Sequence, residues 1–587
     1  MKYFHSIKAT AICGLLTVAG GLATTSCSNF LDQDTRTDVK TDEFYKTATG
    51  FESLTNAMYS SLRSIYNIQP HVFVGGADLY GDGKSESVVY TYYTLTTDDS
   101  GILKFYTNCY KGIQLCNAVL YYSELTEKST VLDQYVAEAR AIRAWYYFQL
   151  VQQFGGVPIT TDYYTAAQMN FERASLKECY DFIISEFQAA VPHLLDRKTA
   201  TAARINKEAV YFLLAKVYLT RGWLNGQGDE SIEENIAESG DFVNAQKYAD
   251  LVIDGKYPSI SIEDAFDINN EACDEFYWTV QFSYDAVQSP GSDGSYQMAQ
   301  FGAYLGGSEC PNNKAIDGSY CPTLWAHQQF ARGDGRYEQT FMFEFHGDGS
   351  TTAKTSYFDF YNNPESNICY YYAPWWATDA DIEAWRASKS ASQVAGLRYI
   401  CKTIADGGIA PSNGSPETYK NRRHMDVGVP CVRKFDDYTA TSIANRNSTC
   451  SMHDVSLARL GEAYLIAAEA ALMNGSAGQA ANYINFLRKR PGTVKEGYEA
   501  DMKVTDSQVD IDFILRERAC ELFGEYVRWT DLKRTHNLIS YVKAHQEDVI
   551  DEANLYGHDG KPRILRPYPQ DALDLNQSDV EQNPGWN

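Results

Sequence analysis

Beyond its first 26 residues the chain has no apolar run near the ~20 residues that a bilayer-spanning helix needs. Positive charge is also scarce. Lys and Arg number 51 against 76 Asp and Glu, a net charge of -25. Such a chain repels nucleic acid and anionic lipid surfaces, so neither is expected as a partner. The signatures of the commoner hydrolases, G-x-S-x-G and H-E-x-x-H, are missing, and the ten histidines show no ligand spacing. The stretch "GGADLYGDGKS" ends in Gly83-Lys84-Ser85, but a phosphate-cradling loop needs glycine at the place held by Asp78, whose charge repels phosphate. Asp78, Asp82 and Glu86 recur every four residues without the alternating oxygens of a calcium loop. No metal and no cofactor are therefore expected. Thirteen cysteines scattered over 587 residues make no disulfide framework. Cys109 and Cys116, two helical turns and ~10 Å apart, are too distant to bridge. Only Cys310 and Cys321, flanking a loop, are left open as a pair.

What the chain does have begins at its N-terminus. Lys2 and Lys8 precede the uncharged stretch "ATAICGLLTVAGGLA" and the small residues Thr24, Thr25 and Ser26, the three-part pattern of a secretory signal. Cys27 follows at once. This resembles a bacterial lipoprotein signal, which implies cleavage before Cys27 and acylation of it. Acyl chains bind membrane by ~0.8 kcal/mol for each buried methylene.

The mature chain reads as mostly helical. In "VLDQYVAEARAIRAWYYFQLVQQFGGVP", Tyr135, Ala139, Ile142, Tyr146 and Leu150 form one stripe, and Gly155, Gly156 and Pro158 end it. "LARLGEAYLIAAEAALMNGSAGQAANYINFLRKR" reads as two helices around an Asn-Gly turn, rich in small residues that let helices approach closely. This is the pattern of a tetratricopeptide-like hairpin. From about 260 to 450, Gly, Asn, Pro, Ser and Tyr crowd in and helical stripes fade. The resulting organisation is a signal (1–26), a tethering linker (27–40), a helical block (41–259), a loop-rich insertion (260–450), a second helical block (451–540) and an extended tail (541–587). Loops on a rigid scaffold concentrate function, so the insertion is the expected ligand region.

Several stretches, in this order and spacing, resemble the SusD/RagB family of outer-membrane lipoproteins. They are "CSNFLDQ", "AEARAIRAWYYFQLVQQFGGVP", "VRKFDD", "RLGEAYLIAAEAALMNG", "LRERACELFGEYVRWTDLKR" and the ending "YPQDALDLNQSDVEQNPGW". The resemblance spans essentially the whole mature chain. It implies a mostly α fold, in which tetratricopeptide-like hairpins form a scaffold with a less regular region packed across it. It also implies residence on the cell exterior and partnership with a SusC-like TonB-dependent transporter. The implied ligand is commonly an oligosaccharide, and the implied activity is non-enzymatic. Two other classes stay open on the residues alone. A glycoside hydrolase needs only two facing carboxylates. A structural lid would instead hold a non-glycan nutrient such as peptide.

Two sets of residues invite a chemical reading. Glu517, Arg518, Glu521, Arg528, Asp531 and Arg534 recur at helical spacing, as do Glu138, Arg140 and Arg143. Both sets read as structural ion pairs rather than acid–base catalysts. A sugar presents a C–H face to flat aromatics and hydroxyls to polar groups. Aromatic and polar residues meet in the early loop "GGADLYGDGKSESVVYTYY" and in the insertion. The expected stacking residues are Tyr92, Tyr93, Tyr296, Trp325, Trp375 and Trp376, with Asp78 and Lys84 bonding hydroxyls. Trp375 and Trp376, if extended, point to opposite faces, exposing at least one of them.

Overall fold

The structure is a computed structural model. It describes residues 41–586 apart from 68–69, 85–89, 91–92, 201–202, 229, 284–293, 302–304, 306–313, 315, 317–319, 348–355, 398, 402–416, 439–450 and 550. Cys27, Glu86, Tyr92 and Cys310 lie outside the described residues.

The scaffold is a run of helices, each packed on the next: α1 (Ala48–Ser61), α2 (Ser100–Ser123), α3 (Thr130–Phe154), α4 (Leu176–Ala190), α5 (Lys207–Trp223) and α6 (Asp241–Ile253). Local chemistry sets their limits. The Ser129 hydroxyl accepts from Leu132 N at 3.1 Å to start α3, and Gly155, at φ 72°, ends it in a conformation costly for other residues. Ser175 and Glu178 form a reciprocal cap on α4. Gly112 on α2 lets the helices close. A Cβ there would lie 2.2 Å from the Tyr146 ring on α3. Cys109 and Cys116 are buried thiols on α2.

The chain then leaves the helical run. Short strands, turns and one-turn helices follow until α7 (Leu324–Gln328), and after further short strands and helices, the longest of them Asp379–Ala387, the long helices resume as α8 (Leu460–Met473) and α9 (Ala477–Leu487). Helix α8 packs on α6 as though nothing intervened. The irregular region is closed at its base by β2 (Phe276–Val280), antiparallel to β9 (Val455–Arg459). Within it β1 (Tyr80–Asp82) pairs with β3 (Tyr320–Pro322), which ties the early loop to the insertion. A three-stranded sheet forms from β5 (Glu344–Gly347), β6 (Asn367–Tyr372) and β7 (Tyr399–Cys401), and β4 (Phe341–Met342) pairs with β8 (Cys431–Val432).

The chain ends in α10 (Ile511–Glu521), α11 (Arg528–Arg534), α12 (Leu538–His545) and a short α13 (Gln570–Leu575). Here the expected ion pairs appear, and they are buried. Arg336 bridges Asp334, Glu517 and Glu521 at 2.7–3.1 Å. Arg459 reaches Glu275, Glu521 and Glu525, and Arg518 joins Glu462 to Asp531. Burial alone would raise the Glu517 carboxyl, but the Arg336 and Arg488 charges overrule it and hold it at about 2. Glu138 pairs with Arg204, and Arg140 and Arg143 share Glu186. The Arg336 and Arg459 groups join helix to insertion, and the Arg143 and Arg518 groups join helix to helix. A charge left alone in such a core costs several kcal/mol, so each partner fixes the register of the other.

Candidate functional site

Three segments converge: the early loop 77–84, α7, and the end of α12. Gln546 donates to the Ala77 and Tyr80 carbonyls, and Asp548 accepts from Asp82 N at 2.9 Å. Arg423 crosses between them, bonding both Asp548 oxygens at 2.7–2.8 Å. Gly81 makes this crossing possible, since a Cβ there would sit 1.5 Å from the guanidinium.

The residues expected at the site fall into two groups. Asp78, Tyr93 and Tyr296 are buried, which corrects the sequence reading. Both Asp78 oxygens are engaged by Arg528 at 2.7–2.8 Å, and one also accepts from Trp325 Nε1 at 3.0 Å. A carboxylate so occupied and so dry bonds no ligand hydroxyl. Tyr93 turns inward at φ 56° and donates its hydroxyl to the Gly76 carbonyl at 2.7 Å. Tyr296 lies inside the core, its N–H donating to Tyr66 O. Lys84 is exposed and paired with Asp426.

The tryptophans are half-buried and near solvent. The Trp325 indole lies flat on His545, ring centres 3.5 Å apart and planes 2° apart. Burial pushes the His545 imidazole down against the pull of Asp78, so it is neutral at pH 7 and stacks without charge. Trp375 and Trp376 do not point to opposite faces of a strand. The chain turns directly after β6, and their rings meet edge to face at 5.6 Å. Trp375 donates to the Phe330 carbonyl at 3.1 Å, and Trp376 packs on Tyr337 at 4.8 Å. The segment 325–330 thus carries Trp325 at one end and seats Trp375 at the other. Around it stand exposed Arg332, paired with Asp381, and exposed Arg516, donating to the Gln329 carbonyl at 2.7 Å. Tyr541, bonded to Asp512 at 2.7 Å, edges the His545 ring. The arrangement offers aromatic edges and faces beside cations.

Sequence reasoning missed His545 and Tyr541, which lie far along the chain from Trp325. It also missed the parallel stack of Tyr371 on Trp385, 3.7 Å apart.

The SusD family model matches residues 274–586, and a second, described as starch-binding associating with outer membrane, matches 29–219. The chain belongs to the SusD family. One relative is the SusD-like protein P2 of Formosa agariphila, 24% identical and covering 99% of both chains. A SusD homolog from Bacteroides thetaiotaomicron superposes with a TM-score of 0.68 at 18% identity, over 94% of this chain and 99% of its own. Surface glycan-binding protein A from Bacteroides thetaiotaomicron, solved in complex with laminarihexaose, gives 0.62 at 17% identity, over 92% and 99%. The SusD fold is accordingly the fold of this chain, mostly helical with few short strands.

Proposed function

We propose that this SusD-family protein is a cell-surface glycan-binding lipoprotein. It captures an oligosaccharide and passes it to a SusC-like TonB-dependent transporter in the outer membrane. Cys27 carries the acyl chains that hold it there, on the outer face. The observation that carries the reading is the match of both family models along one chain, beside a relative of the same fold solved with a glucan oligosaccharide.

The binding surface we favour is the Trp325–Trp375–Trp376 edge. Its exposed ring surface covers sugar C–H faces, while Arg332 and Arg516 reach hydroxyls at the rim. Binding there is reversible capture. The acids of the adjoining core, such as Glu517 and Glu521, are held as carboxylates by arginines and have no proton to give.

Three experiments test the parts separately. Calorimetry with Trp325→Ala, Trp375→Ala and Trp376→Ala tests the surface: at least one folded variant should lose tenfold or more in affinity, as anchors do, and three unchanged affinities would move the site elsewhere. Fractionation of cells making Cys27→Ser tests the anchor; a protein still held by membrane would refute it. Mild-detergent extraction tests the partner, and recovery without any β-barrel protein, while the transporter is expressed, would refute delivery.

A further inference from the structure

A cleft of about 960 Å³ opens on the helical scaffold, and none of the tryptophan-edge residues lines it. Its floor is one face of α2. Leu103, Tyr106, Tyr110 and Leu115 line it and Ala118 follows, a span of ~22 Å at 1.5 Å per residue. Its walls are the irregular chain 158–171 and α13. Asn117 on α2 donates to the Thr160 and Asp162 carbonyls, and Asn576 exchanges two bonds with Phe171 at 2.8–3.0 Å, so the first wall is pinned at both ends. Met169 and Leu575 stand exposed at the rim. Lys111 and Asp571 line the cleft too, one charge of each sign, so charge selects no occupant and apolar contact must.

The position of the chain's own beginning does select one. Tyr45 also lines the cleft, and it ends the short helix Thr41–Tyr45 with which the described chain starts. That helix is fixed at the far end of α2. Tyr122 donates its hydroxyl to Asp42 at 2.6 Å, and the Tyr45 ring meets Tyr122 edge-on at 5.3 Å. Tyr122 stands one helical turn beyond Ala118, so the chain preceding Thr41 arrives beside one end of the cleft floor. Residues 27–40 lie outside the described residues and read "CSNFLDQDTRTDVK". Phe30 and Leu31 are the only adjacent pair of large apolar side chains in that segment. From Thr41 back to Leu31 is ten residues, a reach of up to ~33 Å, which exceeds the length of the floor. The chain between them carries Asp32, Asp34, Arg36, Asp38 and Lys40, and such a stretch suits a return through water. A segment tethered this closely meets the cleft at an effective concentration on the order of millimolar, so a modest apolar contact suffices to hold it. The second family match opens at residue 29, which sets Phe30 and Leu31 within the shared domain rather than in a spacer before it.

We propose that Phe30 and Leu31 dock in this cleft within the same molecule, folding the N-terminal segment back along α2. This does not depend on glycan capture. Its consequence for the anchor rests on the acylation of Cys27 proposed above: docking leaves three residues, ~10 Å, between the lipid and the scaffold, where fourteen free residues would allow ~46 Å. The body is then held close to the membrane by its cleft-bearing face.

The test uses the full mature chain carrying Cys27→Ser, so that docking is read without the lipid, with Phe30 replaced by the photo-cross-linker p-benzoyl-phenylalanine. We expect cross-links within one molecule to peptides covering 103–118, 158–171 or 570–576. Thr107→Trp, at a half-buried position on the floor, should cut their yield about tenfold, the worth of one buried apolar side chain. In the chain without cross-linker, Phe30→Ala with Leu31→Ala disturbs no described contact and should speed amide exchange along 158–171 about tenfold. Cross-links confined to other surfaces, cross-links between isotopically light and heavy copies, or amide exchange unchanged by the double substitution would overturn the proposal. So would a small molecule retained by the parent in native mass spectrometry and released by Thr107→Trp, which would assign the cleft to a free ligand.

Discussion

Replacing Asp78 separates a ligand-binding carboxylate from a structural one. The side chain is fully buried, accepts two bonds from Arg528 and one from Trp325, and faces no solvent. Asp78→Asn keeps an acceptor for Trp325 but leaves the Arg528 charge inside the core. Arg528 retains the Leu515 carbonyl, at 2.7 Å, and the face of the Tyr541 ring, 5.6 Å away, neither of them an anion in contact. Removing one partner of a buried pair costs about 3–5 kcal/mol. Loss of a charge-assisted bond accounts for about 1.5–3 of that, and the stranded cation for the rest. The assay is urea unfolding followed by tryptophan fluorescence, paired with calorimetry on the folded variant. The unfolding free energy should fall by that amount, and glycan affinity should change by less than threefold. The double variant Asp78→Asn with Arg528→Met should recover most of the loss, because no charge is then stranded. A stable Asp78→Asn with tenfold weaker glycan binding would refute the structural assignment and restore Asp78 to the site.

Other consequences follow from the packing and the charges. Glu517 titrates at about 2 when folded and at the ordinary 4.5 when unfolded, so its contribution is complete above pH 4.5 and lost as pH falls towards 2. That difference is worth about 3 kcal/mol; Glu517→Gln should show a flatter loss of stability between pH 4.5 and 2.5 in acid titration followed by circular dichroism. Glu271 is shifted the other way, raised by burial and then by Asp437 and Asp267, and it in turn raises Asp454. Its ionisation destabilises the fold as pH rises from 4.5 towards neutrality, so Glu271→Gln should melt higher than the parent at pH 8 and no higher at pH 4.5. Gly112→Ala places a Cβ 2.2 Å from the Tyr146 ring and should cost about 1–3 kcal/mol in urea unfolding; an unchanged midpoint would mean that α2 and α3 do not pack as described.

The scaffold was legible because helices write their burial into the chain. Ala139, Ile142, Tyr146 and Leu150 repeat every three or four residues, and all four are buried. The ion pairs were legible from spacing over 517–534 as a structural network, but their partners elsewhere in the chain were not. Nothing in the order of residues says that Arg336 and Arg459 arrive from the insertion and from β9 to meet Glu521. The edge was harder still. Asp78 and Tyr93 share the composition of a binding loop, yet the pairing of β1 with β3 draws that loop inward, and an arginine more than four hundred residues away takes the carboxylate. His545 was invisible because only folding stacks it on Trp325.

The central claim is glycan capture without cleavage. The measurement that meets it most directly is calorimetric titration of the Cys27→Ser chain with a panel of oligosaccharides, with chromatography of the sugar recovered afterwards. The account predicts saturable binding of at least one class, weakened by substitution at the Trp325–Trp375–Trp376 edge, and sugar recovered at its original length. Shortened sugar, or no saturable binding across the panel, would contradict it.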